Sequence, residues 1–276
     1  MILPDRTPFS TDKYLPFTIG SGATGVLLLH GYLGTPAEVR GIAESLSRNG
    51  TTNHGILLPG FGKDIANLGS VTQINWLSTA ETAWQSISSR HPRRVIVGYS
   101  MGGAVAIQLA VKHSPDALVL IAPFWKAPGV LAPLVSVFKH IIRVIRPFQF
   151  VDFENEEIRS YFEGMYPNMD LENPANQKFA RENFVIPLAS VDEVLRLGKS
   201  AYEAAARISV PILIIQGQQD MIVRPSNTKS LVRQIPACQV EYAEIPGAHD
   251  LISEESENHH LVVDLIQEFI EVNAGE

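Results

Sequence analysis

The stretch Gly98-Tyr99-Ser100-Met101-Gly102 places a serine between two glycines, each two residues away, where the apolar run "RVIV" gives way to the alanine-rich "GAVAIQLA". The pattern is G-x-S-x-G, a nucleophile elbow, and the chemistry it suits is acyl transfer through a serine alkoxide. A turn this sharp forces the strand and the following helix close together, so the residues two before and two after the serine must be small. Ser100 Oγ would then stand exposed beside the positive N-terminal end of the helix. As a bare pattern the motif arises by chance in about one chain in ten of this length, given average glycine and serine usage. The bland reading is a serine N-cap in a tight turn. The strand before it and the helix after it are what favour the elbow.

A serine hydroxyl needs a base, and the base needs a carboxylate to orient it. Of the eight histidines, His249 in "IPGAHDLI" follows the last apolar β-like run and can reach back over a sheet edge. His30 opens the loop after an earlier strand and suits a supporting hydrogen-bond role; His259 and His260 fall in a polar helical stretch and are expected to be solvated. The acid is expected at Asp220, directly after "PILIIQG", because "LIAPFWKAPG" at the end of the preceding strand offers no carboxylate. Asp250, next to the histidine, suits a local turn contact. A tetrahedral intermediate also needs two donors for its oxyanion. Met101 N–H, just after the nucleophile, is one candidate. The other is Tyr32 N–H in "HGYLGTP", where Gly31 and Gly34 permit a close turn.

The elements that must hold these residues alternate. The runs 25–31, 54–60, 94–100, 117–123, 211–217 and 239–247 read as strands, most of them apolar throughout, as in a parallel sheet covered on both faces. Between them, 36–49, 72–90, 101–113, 225–235 and 255–272 have helical composition. The class is α/β, a mostly parallel central sheet with helices on both faces. About 87 residues separate Pro123 from Pro211, too many for an ordinary connection, which implies an inserted helical cap. The expected organisation is a core from 1–123 and 201–276 with a cap from 124–200. Within the cap Val135, Phe138, Ile141, Ile142 and Ile145 share one helical face, and Lys139, Arg143 and Arg146 the opposite one. With Val130, Leu131 and Leu134 they exceed what a solvent-facing connection requires, so Phe138 and Ile142 are expected to meet substrate.

The bulk numbers exclude several classes. With 45% hydrophobic and 18% charged residues the chain is an ordinary globular protein, and its formal charge of −7 argues against a nucleic-acid partner. One cysteine, Cys238, allows neither an intrachain disulfide nor a cysteine-based zinc cluster. The N-terminal segment lacks the apolar core of a secretory signal, and "APGVLAPLVSVF", the longest charge-free apolar run at 12 residues, is too short to span a bilayer. A cytoplasmic protein with no membrane span is expected; no metal is called for, and oligomeric state is not legible.

The segments "LLLHGYLGTPAEVRGIAESLSRNG", "LLPGFG", "VGYSMGG", "PILIIQGQQDMIV" and "IPGAHDL" resemble the serine carboxylesterases and monoacylglycerol-lipase-like members of the α/β-hydrolase superfamily. The resemblance covers most of the chain outside the insertion. It implies the α/β-hydrolase fold, Ser100 as nucleophile, Asp220 as acid, His249 as base, and Tyr32 and Met101 as oxyanion donors, with no cofactor and a small hydrophobic carboxylic ester as substrate. The chain order Ser, Asp, His is the one this fold uses. Two departures bear on substrate choice: Phe61 in "LPGFGKD" stands where relatives often have histidine, and the insertion is longer than a minimal cap. Alternatives with the same triad are a thioesterase, an amidase or a C–C bond hydrolase; a non-catalytic binding protein would instead show a broken triad.

Overall fold

The computed structural model describes residues 8–274 apart from 128–134, 137, 140, 155–158, 160–161, 164, 167–168 and 237–239. Cys238, Val130, Leu131 and Leu134 lie outside the described residues. Seven strands form one sheet in the order β1-β3-β2-β4-β5-β8-β9: β1 (Phe17–Gly20), β2 (Thr24–Leu29), β3 (Thr51–Ile56), β4 (Arg93–Tyr99), β5 (Ala117–Ile121), β8 (Ile212–Gly217) and β9 (Val240–Ile245). Only β1 runs antiparallel, paired with β3. Two short strands, β6 (Val144–Ile145) and β7 (Ile186–Pro187), pair with each other outside the sheet.

The apolar runs form strands because both sheet faces are covered. On β2, Leu27 and Leu29 face a cluster shared with α2 (Gln73–Ser88), α3 (Met101–His113) and α5 (Leu188–Ala205). Val26 and Leu28 face the opposite cluster, with α1 (Arg40–Ser47) and α7 (His259–Ala274). Period-two alternation therefore decides the layer while both layers stay apolar. Among the described residues the remaining α-helices are α4 (Pro174–Asn183) and α6 (Pro225–Gln234).

From β2 the chain crosses to β3 on one side, then returns past β2 to β4 on the other. This reversal opens a crevice beyond the carboxyl ends of β2 and β4, where ligands of open α/β sheets bind. The segments after β2 and β4, containing Tyr32 and Ser100, both start there.

Several sequence expectations need correction. Residues 54–60 are not the third strand, which is the polar Thr51–Ile56; it is buried because Asn53 donates to the Ala43 carbonyl at 3.1 Å and Thr52 to that of Gly22 at 2.8 Å. Edge strand β1 has no counterpart in the sequence reading. The helical face from Val135 to Ile145 does not exist as one element, since the chain is extended by Val144–Ile145 to pair with β7. Lys139, expected on the face opposite the apolar residues, turns its Nζ to within 2.6 Å of buried Asp192. His259 is buried, its Nδ1 3.0 Å from the Ile252 carbonyl, because α7 presents it to the protein rather than to water. Helix α5 crosses the expected boundary at 200 unbroken, and its Leu197, Ala201 and Ala204 pack in the same cluster as α3. Among the described residues no helix is long and apolar enough to cross a membrane.

Candidate active site

At the end of β4, Ser100 has φ 52° and ψ −117°, a left-handed conformation that costs a non-glycine residue energy and is typical of functional sites. The glycines around it have visible reasons. A Cβ at Gly98 would lie 2.5 Å from the Gly102 carbonyl oxygen, and one at Gly102 would lie 2.3 Å from that of Leu29. Strand, elbow and helix therefore pack at backbone contact. Ser100 N–H donates to the Ile121 carbonyl at 2.9 Å, and the Ser100 carbonyl accepts from Gly103 and Phe124, each at 3.0 Å. These bonds hold the turn against its strain.

His249 Nε2 lies 3.0 Å from Ser100 Oγ, and its Nδ1 lies 2.7 Å from Asp220 Oδ2. An ionised carboxylate only accepts, so Nδ1 carries the proton and Nε2 is left to accept from the serine hydroxyl. Asp220 is buried, with Oδ1 accepting from Ile222 N–H at 2.9 Å and Val223 N–H at 2.8 Å, and Oδ2 also accepting from Gln216 Nε2 at 3.2 Å. Burial opposes its ionisation, but the His249 hydrogen bond and charge and the two backbone donors outweigh burial and hold its carboxyl below the usual range.

Two supporting residues carry no sequence signal that singled them out. Gln216, fully buried, donates to the Gly217 and Val223 carbonyls and accepts from Thr228 Oγ1, which locks the loop that carries Asp220. Tyr99, inside the elbow motif, donates its hydroxyl to the His249 carbonyl at 3.2 Å and sets its ring 5.3 Å from the imidazole. Asp250 takes the turn role expected of it, accepting from Ser253 N–H at 3.2 Å.

The loop after β2 passes beside the elbow: a Cβ at Gly31 would lie 3.4 Å from Ser100 Cβ. Gly34 N–H closes the turn onto the Gly31 carbonyl at 3.3 Å, and Leu33 takes the left-handed φ of 62°. His30 braces it from below, with Nδ1 2.8 Å from the Gly31 carbonyl and Nε2 accepting from Leu58 N–H at 3.1 Å. Burial keeps this imidazole neutral, lowering its pKa to about 4. Phe61 is fully buried and stands edge-on to both His30 and Tyr32, so the departure at this position builds the floor of the loop. Met101 is the first residue of α3, where an N–H has no intrahelical acceptor.

The Tyr32 phenol has a hydrogen-bond partner of its own. Ser190 Oγ donates to the Pro187 carbonyl at 2.7 Å, so the Tyr32 hydroxyl, 2.6 Å away, is the donor to Ser190. Burial pushes its pKa up to about 12, against the opposing effect of the Ser190 hydrogen bond. Phe138 and Ile142 are exposed at 41% and 49% and join none of the three apolar clusters of the described residues.

A doubly covered parallel sheet with serine after β4, aspartate after β8 and histidine after β9 defines an α/β-hydrolase. The chain belongs to the family described as "Serine aminopeptidase, S33", whose model matches residues 23–256. It is similar to the thermostable monoacylglycerol lipase of Bacillus sp. strain H-257, 25% identical over 94% of this chain and 95% of that protein. Among solved structures it is similar to a lipolytic enzyme described with LipS and LipT, which are metagenome-derived, with a TM-score of 0.77 at 20% identity over 95% of this chain and 98% of that one. It is also similar to a soluble variant of monoglyceride lipase from Saccharomyces cerevisiae in complex with a substrate analogue, TM-score 0.69 at 15% identity over 99% and 96% of the two chains. The monoacylglycerol-lipase-like character read from the motifs is therefore that of the chain's relatives as well.

Proposed function

We propose that the chain hydrolyses carboxylic esters with a hydrophobic acyl group through Ser100, His249 and Asp220. The observation that carries this reading is the unbroken hydrogen-bond chain from Ser100 Oγ through His249 to buried Asp220. As Ser100 Oγ attacks the ester carbonyl carbon, its proton passes to His249 Nε2 and the carbonyl electron pair moves onto oxygen. The N–H groups of Tyr32 and Met101 receive that oxyanion. Collapse breaks the C–O bond to the leaving group, which takes the proton from His249 and departs as the alcohol. Water then attacks acyl-Ser100 with His249 again as base, and the second collapse frees the carboxylic acid and restores the serine hydroxyl. Asp220 stays ionised throughout.

The insertion, residues 124–200 in the sequence reading, acts in this proposal as the cap over the acyl path, with Phe138 and Ile142 meeting the chain. What supports this is their exposed apolar surface. The preference for esters rests on the likeness to monoacylglycerol lipases along nearly the whole chain. A panel of esters, thioesters, anilides and diketones tests it: fastest turnover on the esters is expected, and a faster anilide would move the assignment to an amidase. An active-site-directed fluorophosphonate is expected to label Ser100, and Ser100→Ala to abolish both labelling and turnover. Absent labelling would leave a binding protein on a hydrolase scaffold.

A further inference from the structure

Beneath the loop after β2 lies a carboxyl group that the mechanism above does not use. Glu38 sits in the 3-10 turn Pro36–Val39, and its Oε2 accepts the N–H of Gly31 at 2.9 Å. The fit is close on both sides. A Cβ at Gly34 would fall 2.1 Å from Glu38 Oε2, so glycine there makes room for the carboxyl group. A Cβ at Gly31 would lie 3.4 Å from Glu38 Oε2 and 3.4 Å from Ser100 Cβ alike, so the carboxyl and the nucleophile flank one peptide. The next N–H along the chain is that of Tyr32.

We propose that Glu38 is a positioning residue for the reaction: by accepting the Gly31 N–H it sets the peptide planes of the turn and aims the Tyr32 N–H at the oxygen that Ser100 attack charges. This rests on the reading of Ser100 as nucleophile and of Tyr32 N–H as oxyanion donor. Donors of this kind act through their aim, and a misplacement of about 1 Å can cost on the order of 10²-fold in rate. Gly31 and Gly34 leave the turn with little stiffness of its own. An anchor bonded to its first peptide supplies what the glycines lack.

The surroundings indicate that Glu38 acts as a hydrogen-bond acceptor rather than as a charge. It borders an 820 Å³ cleft shared with Tyr99 of β4, His249 and Asp250 after β9, and the acidic Glu254 and Glu255. The nearby cations are engaged elsewhere: Arg40 lies over the Phe17 ring at 4.3 Å and Lys13 over the Tyr14 ring at 4.8 Å. Among the described residues no ion pair reaches Glu38. Burial, opposed by the Gly31 hydrogen bond and reinforced by Asp250, raises its pKa to about 7. Below neutrality the carboxyl is largely protonated, and its C=O can still accept the N–H.

The test compares Glu38→Gln, which keeps a neutral acceptor of the same length, with Glu38→Ala, which removes it, assayed at pH 6 on a chromogenic aryl acetate. For Glu38→Ala we expect kcat to fall about 10- to 100-fold with KM within about threefold, and for Glu38→Gln a kcat within about threefold of wild type. A wild-type kcat in Glu38→Ala, a loss confined to KM, or Glu38→Gln as slow as Glu38→Ala would each overturn the proposal. Circular dichroism and thermal melting establish that the variants are folded. Should Glu38→Ala fail to fold, Glu38→Met, which fills the space without accepting, takes its place under the same criteria. Ser100→Ala and fluorophosphonate labelling run alongside: wild-type turnover that survives Ser100→Ala sinks the nucleophile reading, whereas Ser100-dependent turnover indifferent to Glu38→Ala sinks only the role of Glu38.

Discussion

The sheet body and the segment inserted between β5 and β8 bury apolar surface by different means. In the body, Val, Leu and Ile sit on strands whose positions are set by backbone pairing, for example Leu29 of β2 opposite Gly98 of β4. In the insertion the core is aromatic: Phe148, Phe162 and Phe184 meet edge to face at 4.6 to 5.8 Å, and Phe153 joins them through Phe162. The N-terminal segment completes that cluster, with Phe9 N–H donating to the Met165 carbonyl at 2.7 Å. A ladder of backbone bonds holds a strand end in place whatever the neighbouring side chains do. An aromatic cluster depends on its few anchors.

The anchors are on α5. Asp192, 1% exposed, receives Lys139 Nζ at 2.6 Å, Arg196 Nε at 2.8 Å and the hydroxyl of Ser136. The insertion also pairs through β6 and β7, and Leu188 N–H donates to the Arg143 carbonyl at 3.0 Å. On the same first turns of α5, Ser190 accepts from Tyr32. This helix, the last of the segment between β5 and β8, thus grips the rest of the insertion and touches the loop beside Ser100. In the function proposed above, chemistry depends on the body and substrate choice on the insertion.

The largest effects should come from the body. Ser100→Ala and His249→Ala are each expected to remove turnover almost entirely, and the double variant to be scarcely worse, because residues acting as a unit are not additive. Asp220→Asn should lower kcat by roughly 10⁴, since the amide favours the wrong imidazole tautomer. It also sets an NH₂ group in place of one of the two oxygens, against either His249 and Gln216 at Oδ2 or the Ile222 and Val223 N–H groups at Oδ1. Retained activity in any of these variants would break the comparison at its base.

Asp192→Ala tests the other side. Loss of this buried acceptor should cost about 1–3 kcal/mol, less than a fully buried pair because Lys139 and Arg196 keep some water. We expect faster proteolysis within the insertion while turnover of a short acetyl ester stays within a few-fold. A collapse of that turnover would mean the insertion helps to build the catalytic geometry. The same anchor is sensitive to acid. Burial opposes ionisation of Asp192, but Lys139, Ser136 and Arg196 together hold its carboxyl below the usual 3.8. Its contribution is therefore present above that value and lost as pH falls through the lower folded pKa. Proteolysis of the insertion should accelerate there, and much less in Asp192→Ala.

Tyr32→Phe probes the junction between the two regions. It removes one hydrogen bond to Ser190 and leaves the Tyr32 N–H in place, so a loss below about tenfold is expected. A drop of several hundredfold would show the phenol donating to the oxyanion itself. The smallest effects belong to Phe138→Ala and Ile142→Ala, for which a few-fold shift in acyl-chain preference is expected, with little change on an acetyl ester. Equal losses on long and short esters would remove the specificity role.

What was legible in the sequence was local. Ser100 and Asp220 stand just after apolar runs and His249 just after the last strand, and β2, β4, β5 and β8 announce themselves because strands covered on both faces are here mostly apolar. The elbow is legible because only glycine fits where Gly98 and Gly102 meet backbone. The polar strand β3 escaped notice because Asn53 Nδ2 and Thr52 Oγ1 donate to carbonyls 10 and 30 residues away, which no short window contains. Gln216, Tyr99, Asp192 and Glu38 also gained roles only in three dimensions: a glutamine, a tyrosine or a carboxylate has no characteristic spacing until folding brings its donor or acceptor within reach. The insertion is the extreme case. Its apolar residues follow a helical period from Val135 to Ile145, yet the backbone is extended at Val144–Ile145, because pairing with Ile186–Pro187 supplies hydrogen bonds that the period cannot foretell.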